Sequence, residues 1–298
     1  MLELEEKMEK EQIKMKINNK EIDEKKPYVI AEIGINHNGS LDLAKILIDI
    51  AVECGCDAVK FQKRDVDTVY TQEELLKERI SPFGKTNGDL KRGLELSYEA
   101  YQKLFSYARE KEIDIFASPW DSKSVDFLEQ FSPCCYKVAS ASITDYKLLE
   151  KIKKTGKPVI ISTGMSTEEE IDNAIKIFNQ KNIAILACTS TYPTDDSEIN
   201  LNKIKTLKKK YPKIPIGYSG HERDIFPSLI AVALGACIIE RHITISKDIW
   251  GSDQWASLEP KELKELVTGI KRVKTIMGDG KITVYDSEQP IKKKLRRY

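Results

Sequence analysis

The sequence predicts an α/β fold, a (β/α)8 TIM barrel with a short N-terminal hairpin extension. Eight short apolar runs alternate with helix-period segments, and all eight units fit within about 250 residues after Tyr28, the usual size of that barrel. The runs are nearly continuous in apolar character, as strands covered on both faces must be. A third observation sets aside the doubly wound sheet: the first run continues as AEIGINHNG, not the G-x-G-x-x-G turn of a dinucleotide fold.

Residues 1–26 carry eight acidic and seven basic side chains and read as a tail followed by a hairpin. Within it, IKMKINNKEI (13–22) alternates apolar and polar residues around an Asn-Asn turn and is too polar for a central strand. Residues 27–298 read as the barrel catalytic domain. Its strands are YVIAEIG from 28, DAVKFQ from 57, DIFASP from 114, CYKVAS from 135, PVIIST from 158, IAILACT from 183, PIGYSG from 215 and CIIERHI from 237. Helical periodicity marks 41–54, 145–155 and 168–178, the last opened by a Thr167/Glu170 capping box, and a final helix runs over 260–277. The long interruption from Lys63 to Ser97 reads as an elaborated loop over the active face. After Gly280 the chain reads as a basic, solvated tail, with five basic residues among the last seven.

Composition removes several classes of function. Lys and Arg number 48 against 47 Asp and Glu, so there is no basic excess of the kind a nucleic-acid binder needs. The longest apolar stretch, 226–239, is too short for a membrane span, and the N-terminus has no secretory pattern. A cytoplasmic protein is expected. The six cysteines include no C-x-x-C pair and read as small core residues rather than a zinc site.

Barrels of this kind place their chemistry at the C-terminal ends of the strands. Polar residues gather there in this sequence: Glu32, Asn36 and His37 after the first run, Lys60 and Gln62 in the second, Ser118 in the third, and Lys137, Ser140 and Ser142 in the fourth. Ser162 and Thr163, then Thr189, Ser190 and Tyr192, then Ser219 and His221, then Glu240 and His242 complete the circuit. His221 and His242 end neighbouring strands about 4.8 Å apart, so both imidazoles can reach one divalent ion, with Glu240 on the same side. The bland alternative is a pair of hydrogen-bonded structural histidines. His37, in HNG, reads as a turn or supporting residue. Lys60 and Lys137 lie inside apolar runs, where an ammonium is costly unless an anion pairs with it. With the serines they describe a phosphate or carboxylate pocket beside a metal; snorkelling stems or buried ion pairs are the alternative.

The blocks AEIGINHNGSLDLAKILIDIA, CDAVKFQ, YKVAS, PVIISTGMS, CTSTYPT, GYSGH, ERHIT and GSDQWASLEP occur in this order. Together, over roughly 28–290, they resemble the sialic acid synthase family, whose members make N-acetylneuraminate and related nonulosonic acids. The resemblance implies a transferase that condenses phosphoenolpyruvate (PEP) with an open-chain sugar aldehyde, N-acetylmannosamine or a related aldose. The products would be a 2-keto-3-deoxy sugar acid and phosphate. It implies that Lys60, Lys137, Ser140, Ser162 and Ser219 grip PEP, and that His221 and His242 hold Mn2+ or Mg2+. Glu32, Gln62, Tyr192 and Asp253 would contact the sugar or orient the reacting carbons. A homo-oligomer, commonly a dimer, is implied as well. Three departures stand out: the small antifreeze-like C-terminal domain usual in the family is not found after the barrel, Ser142 replaces a glutamate, and Ser190 replaces an asparagine. The last two fall on the sugar side. Two other functions fit the same residues: an aldolase or lyase using Lys60 or Lys137 as a Schiff base, and a non-catalytic barrel that binds a sugar acid.

Overall fold

In the computed structural model, which describes residues 15–297, eight parallel strands close into a barrel. The expected tail over residues 1–14 lies outside the described residues. Strands β1 (Lys16–Ile17) and β2 (Lys20–Glu21) form the antiparallel hairpin around Asn18-Asn19. The barrel strands are β3 (Tyr28–Gly34), β4 (Ala58–Lys63), β7 (Asp114–Pro119), β8 (Tyr136–Val138), β9 (Val159–Ser162), β10 (Ile183–Cys188), β11 (Ile216–Gly220) and β12 (Ile238–His242). They run around the wall in that order, and β12 closes on β3 with His242 opposite Glu32.

The predicted helices form where the periodicity places them, at Leu41–Cys54, Tyr146–Lys154, Glu168–Ile177 and Pro260–Met277. Local chemistry sets their ends. Ser40 caps the first through the Leu43 amide, and Gly55 ends it in the left-handed conformation at φ 86°. The Thr167/Glu170 capping box is formed as expected. Among the described residues no helix is long and apolar enough to cross a membrane.

Two expectations need correction. CYKVAS gives a strand of three residues only, because Ser140–Ser142 turns into a 3-10 helix. The interruption from Lys63 to Ser97 is not simply a loop. It folds into helices Val66–Val69 and Gln72–Leu76, a hairpin of β5 (Glu78–Ser81) and β6 (Gly84–Thr86), and helix Asn87–Leu94. Three side-chain caps, from Asp65, Thr71 and Thr86, start those helices, so turn chemistry organises a segment that lacks a long apolar run.

The core has two parts. An outer layer packs strand residues such as Val29, Val59, Ile161 and Ile185 against the helices. An inner cluster fills the lower barrel with Ile30, Ala58, Phe116, Ile160, Ala184, Leu186 and Ile238. Met15, Ile17 and Ile22 of the hairpin join that inner cluster. The hairpin is therefore the barrel's floor, its alternation sending apolar side chains up into the barrel and charged ones out to solvent.

Side chains two residues apart on a strand point the same way. The apolar floor and the polar mouth are consequently successive layers of the same strands: Ile30 then Glu32, Ala58 then Lys60, Phe116 then Ser118, Ile160 then Ser162, Leu186 then Cys188, Ile238 then Glu240. One register sets both. Replacing Ile17, wholly buried in the floor, by Ala should lower the unfolding free energy by about 2–5 kcal/mol. Equilibrium urea unfolding checks this, and an unchanged midpoint would mean that the hairpin does not belong to the core.

Candidate active site at the mouth of the barrel

The polar layer lines one cleft at the barrel mouth. Glu32, Lys60, Gln62, Lys137, Ser140, Ser162, Tyr192, Ser219, His221 and His242 all reach it. Of the residues singled out from the sequence, Asp253 does not line the cleft. It stands behind His242, with Oδ2 3.9 Å from Nδ1. Ser142 is buried in the 3-10 turn outside the cleft wall, whereas Ser190 lines it. His37 packs on Phe61 (ring centroids 5.9 Å apart), and its Nδ1 accepts the Gly39 amide at 3.1 Å. It is a turn residue, with burial holding its pKa down to about 4.

Glu240 is the electrostatic hub. Its Oε1 lies 3.4 Å from Lys137 Nζ and 3.7 Å from Lys60 Nζ, and accepts the Ser219 hydroxyl at 3.2 Å. Lys60 also meets Glu32 at 2.8 Å and donates to Ser118 at 3.1 Å, while Lys137 donates to Ser162 at 2.7 Å. Burial alone would raise the Glu240 pKa, but Lys137 and Lys60 overcome it and hold the group down to about 2. Burial works against the Lys60 ammonium too, yet Glu240 and Glu32 raise its pKa. For Lys137 burial prevails over Glu240 and the pKa falls. Burial also raises Glu32, against the pull of Lys60. The mouth thus holds a firmly ionised central carboxylate flanked by two cations, with a weaker acid at its edge.

The imidazoles of His221 and His242 lie 5.5 Å apart, centroid to centroid, and the Tyr192 ring covers His221 at 4.0 Å. His221 Nδ1 is 2.7 Å from the Thr189 carbonyl. A carbonyl only accepts, so Nδ1 carries the proton, and a neutral ring keeps its lone pair at Nε2. Burial lowers the His242 pKa to about 3, with the nearby charges of His221 and Lys60 adding to it. That ring is neutral near pH 7. Two buried polar atoms at the imidazoles have no hydrogen-bond partner, Glu240 Oε2 and His242 Nδ1.

Such a donor set fits a divalent ion that leaves positions open for ligands. Among the described residues no set of three or more His, Cys, Asp or Glu side chains is arranged to hold an ion unaided. The chain thus offers a pair of imidazoles, and further oxygens must come from water or a bound molecule.

Sequence reasoning left Glu240 out of the assigned set, and missed Cys188 and Trp120. Glu240 becomes central only through the registers that put Ser219 and Ile30 beside it on the two neighbouring strands. Cys188 lies 4.0 Å from His221 Nδ1 and 3.8 Å from Ser140 Oγ. Its position two residues after Leu186 was the available signal. Gly164 donates its amide to Ser140 Oγ at 3.0 Å, and a Cβ there would meet Ser190 Oγ at 2.1 Å.

On the outer side of the wall a second buried ion pair fixes the strands that carry the imidazoles. Arg241 Nη1 meets Glu222 Oε1 at 2.8 Å and donates to the Asp224 carbonyl at 2.7 Å. Tyr218 and Ser228 hydroxyls also donate to Glu222, at 2.8 and 3.0 Å. Arg241→Met strands a buried carboxylate and should cost about 3–5 kcal/mol. Chemical denaturation measures this, and a loss below about 1 kcal/mol would show that water, not Arg241, satisfies Glu222.

Residues 47–282 match the NeuB family. The chain is 43% identical to the N-acetylneuraminate-9-phosphate synthase of Homo sapiens, over 84% of this chain and 71% of that one. It is 40% identical to the N,N'-diacetyllegionaminic acid synthase of Campylobacter jejuni, over 89% of this chain and 81% of that one. In structure it is similar to the N-acetylneuraminic acid synthetase of Leptospira borgpetersenii solved with citrate. That likeness has a TM-score of 0.82 and 34% identity, and covers 96% of this chain and 99% of that one.

Proposed function

The chain belongs to the NeuB family, and from that premise we propose that it condenses PEP with an open-chain aldose to give a 2-keto-3-deoxy sugar acid and phosphate. N-acetylmannosamine or a related aldose is the acceptor in this reading. One observation carries it: two buried ammoniums, joined through Glu240, lie at the same pole as the imidazole pair. PEP carries a phosphate and a carboxylate, and Lys60, Lys137 and the Ser140, Ser162 and Ser219 hydroxyls of the cleft would bind it.

The reaction forms one carbon–carbon bond, between C3 of PEP and the aldehyde carbon. Water then adds at C2 and the C2–O bond to phosphate breaks. Of the two protons of that water, one ends on the new hydroxyl and one leaves with phosphate. Lys60 and Lys137 are already ordered and desolvated, so they stabilise the phosphate charge without reorganising. Glu32, held between Lys60 and Gln62, would contact the acceptor and orient the reacting carbons. Gln62, whose Nε2 donates to Glu32 Oε1 at 2.9 Å, fixes that carboxyl. Tyr192 covers the imidazoles and keeps bulk water from the acceptor carbon. A manganese or magnesium ion held by His221 and His242 would supply polarisation of the acceptor carbonyl.

Protein, Mn2+, PEP and a panel of aldoses should give phosphate together with a 2-keto acid of the summed mass. No phosphate with any aldose would end this reading. His221→Ala and His242→Ala should each lower kcat at least about a hundredfold, and a chelator should abolish turnover until Mn2+ is returned. Lys137→Met should raise KM for PEP about tenfold to a hundredfold, read from initial rates at saturating aldose. Lys137, its pKa lowered by burial, also suits a Schiff base. Borohydride trapping of a carbonyl substrate on Lys137 would favour that aldolase chemistry instead.

A further inference from the structure

The barrel does not hold its two site imidazoles equally. His242 ends β12 and is paired with Glu32 on β3. On the other side, the β11–β12 ladder stops at Gly220 opposite Arg241, one residue short of His221. That ladder therefore does not fix His221 against His242. The residue after His221 and the residue before His242 make the missing connection. Arg241 Nη1 meets Glu222 Oε1 at 2.8 Å and donates to the Asp224 carbonyl at 2.7 Å, while Nη2 donates to the Glu222 carbonyl at 2.5 Å. Both arms of a planar guanidinium act on one short stretch of chain, which fixes its orientation as well as its distance.

The same groups are poorly arranged for stability alone. Glu222 and Arg241 are only 2% and 1% exposed, and a buried ion pair seldom holds a fold better than apolar residues of the same size. Arg241 Nε is buried without a hydrogen-bond partner, a cost nothing in the network offsets. The Glu222 carboxylate folds back over Gly220, where a Cβ would meet Oε2 at 2.4 Å and Oε1 at 2.7 Å. The Tyr218 and Ser228 hydroxyls hold it there, at 2.8 and 3.0 Å. What this network does fix is the link between the two residues whose rings lie 5.5 Å apart in the cleft.

We propose that Glu222 and Arg241 are positioning residues for ion capture: one buried clamp holds the His221 and His242 imidazoles at a chelating separation before an ion arrives. This rests on the reading in which those two histidines hold Mn2+ or Mg2+. Neither Glu222 nor Arg241 lines the cleft, so they act on the ion only through the backbone of their neighbours. An imidazole pair that spends roughly a tenth of its time at the right separation binds an ion about tenfold more weakly. Groups behind metal ligands commonly control affinity on that scale.

Titration of the full chain with Mn2+ alone, followed by the paramagnetic resonance signal of the free ion, reads affinity without turnover. Urea unfolding of the same samples reads stability. The deciding variant is Glu222→Met/Arg241→Met, which removes both charges and strands neither. It should unfold at a higher urea concentration than Arg241→Met alone, yet bind Mn2+ about tenfold to a hundredfold more weakly than the unaltered chain. Arg241→Lys is read where the double variant does not fold. It keeps the charge but gives up the fork, and should also lose about tenfold in Mn2+ affinity. His221→Ala sets the comparison and should lose Mn2+ binding. An unaltered chain that takes up no Mn2+, or a His221→Ala variant that binds it equally, ends the ion reading and this proposal with it. Binding that needs His221 but stays within about twofold of the unaltered chain in the deciding variant overturns the proposal alone and leaves the ion reading standing.

Discussion

Two ammoniums and two carboxylates are held out of water at one end of the barrel, and much else in the molecule serves to keep them there. A buried charge is tolerated only with a partner, and removing one member strands the rest. Glu240 bears the heaviest demand, since both Lys60 and Lys137 lean on one of its oxygens. The strand ends cannot relax without separating these groups. The Arg241–Glu222 pair on the outside of β12 acts in the same sense, anchoring the residue between Glu240 and His242 from behind. One face of that strand lines the cleft, and the other anchors the strand.

Much of this was legible in the sequence, for a physical reason. A parallel strand covered by helices must be apolar throughout, so a lysine inside such a run, as at Lys60 and Lys137, announces itself. Two histidines closing consecutive runs do the same. What escaped was what depends on register between distant strands. Glu240 shares a side with His242 in the sequence alone, but its contact with both lysines emerges only once β11 and β3 are placed on either side of it. Cys188 reads as core because its thiol is small and apolar. The insert escaped because short caps, not long apolar periods, shape it. The hairpin was visible as a hairpin, but its charged flanks concealed that Met15, Ile17 and Ile22 complete the inner core.

Because the hairpin stops the lower end of the barrel with aliphatic side chains, the described residues leave the chamber one doorway, at its mouth. Whatever enters first is overlain by what enters second, and departure must reverse that sequence. In the proposed condensation, a molecule seated between the lysines would have to arrive ahead of its co-reactant and leave after it.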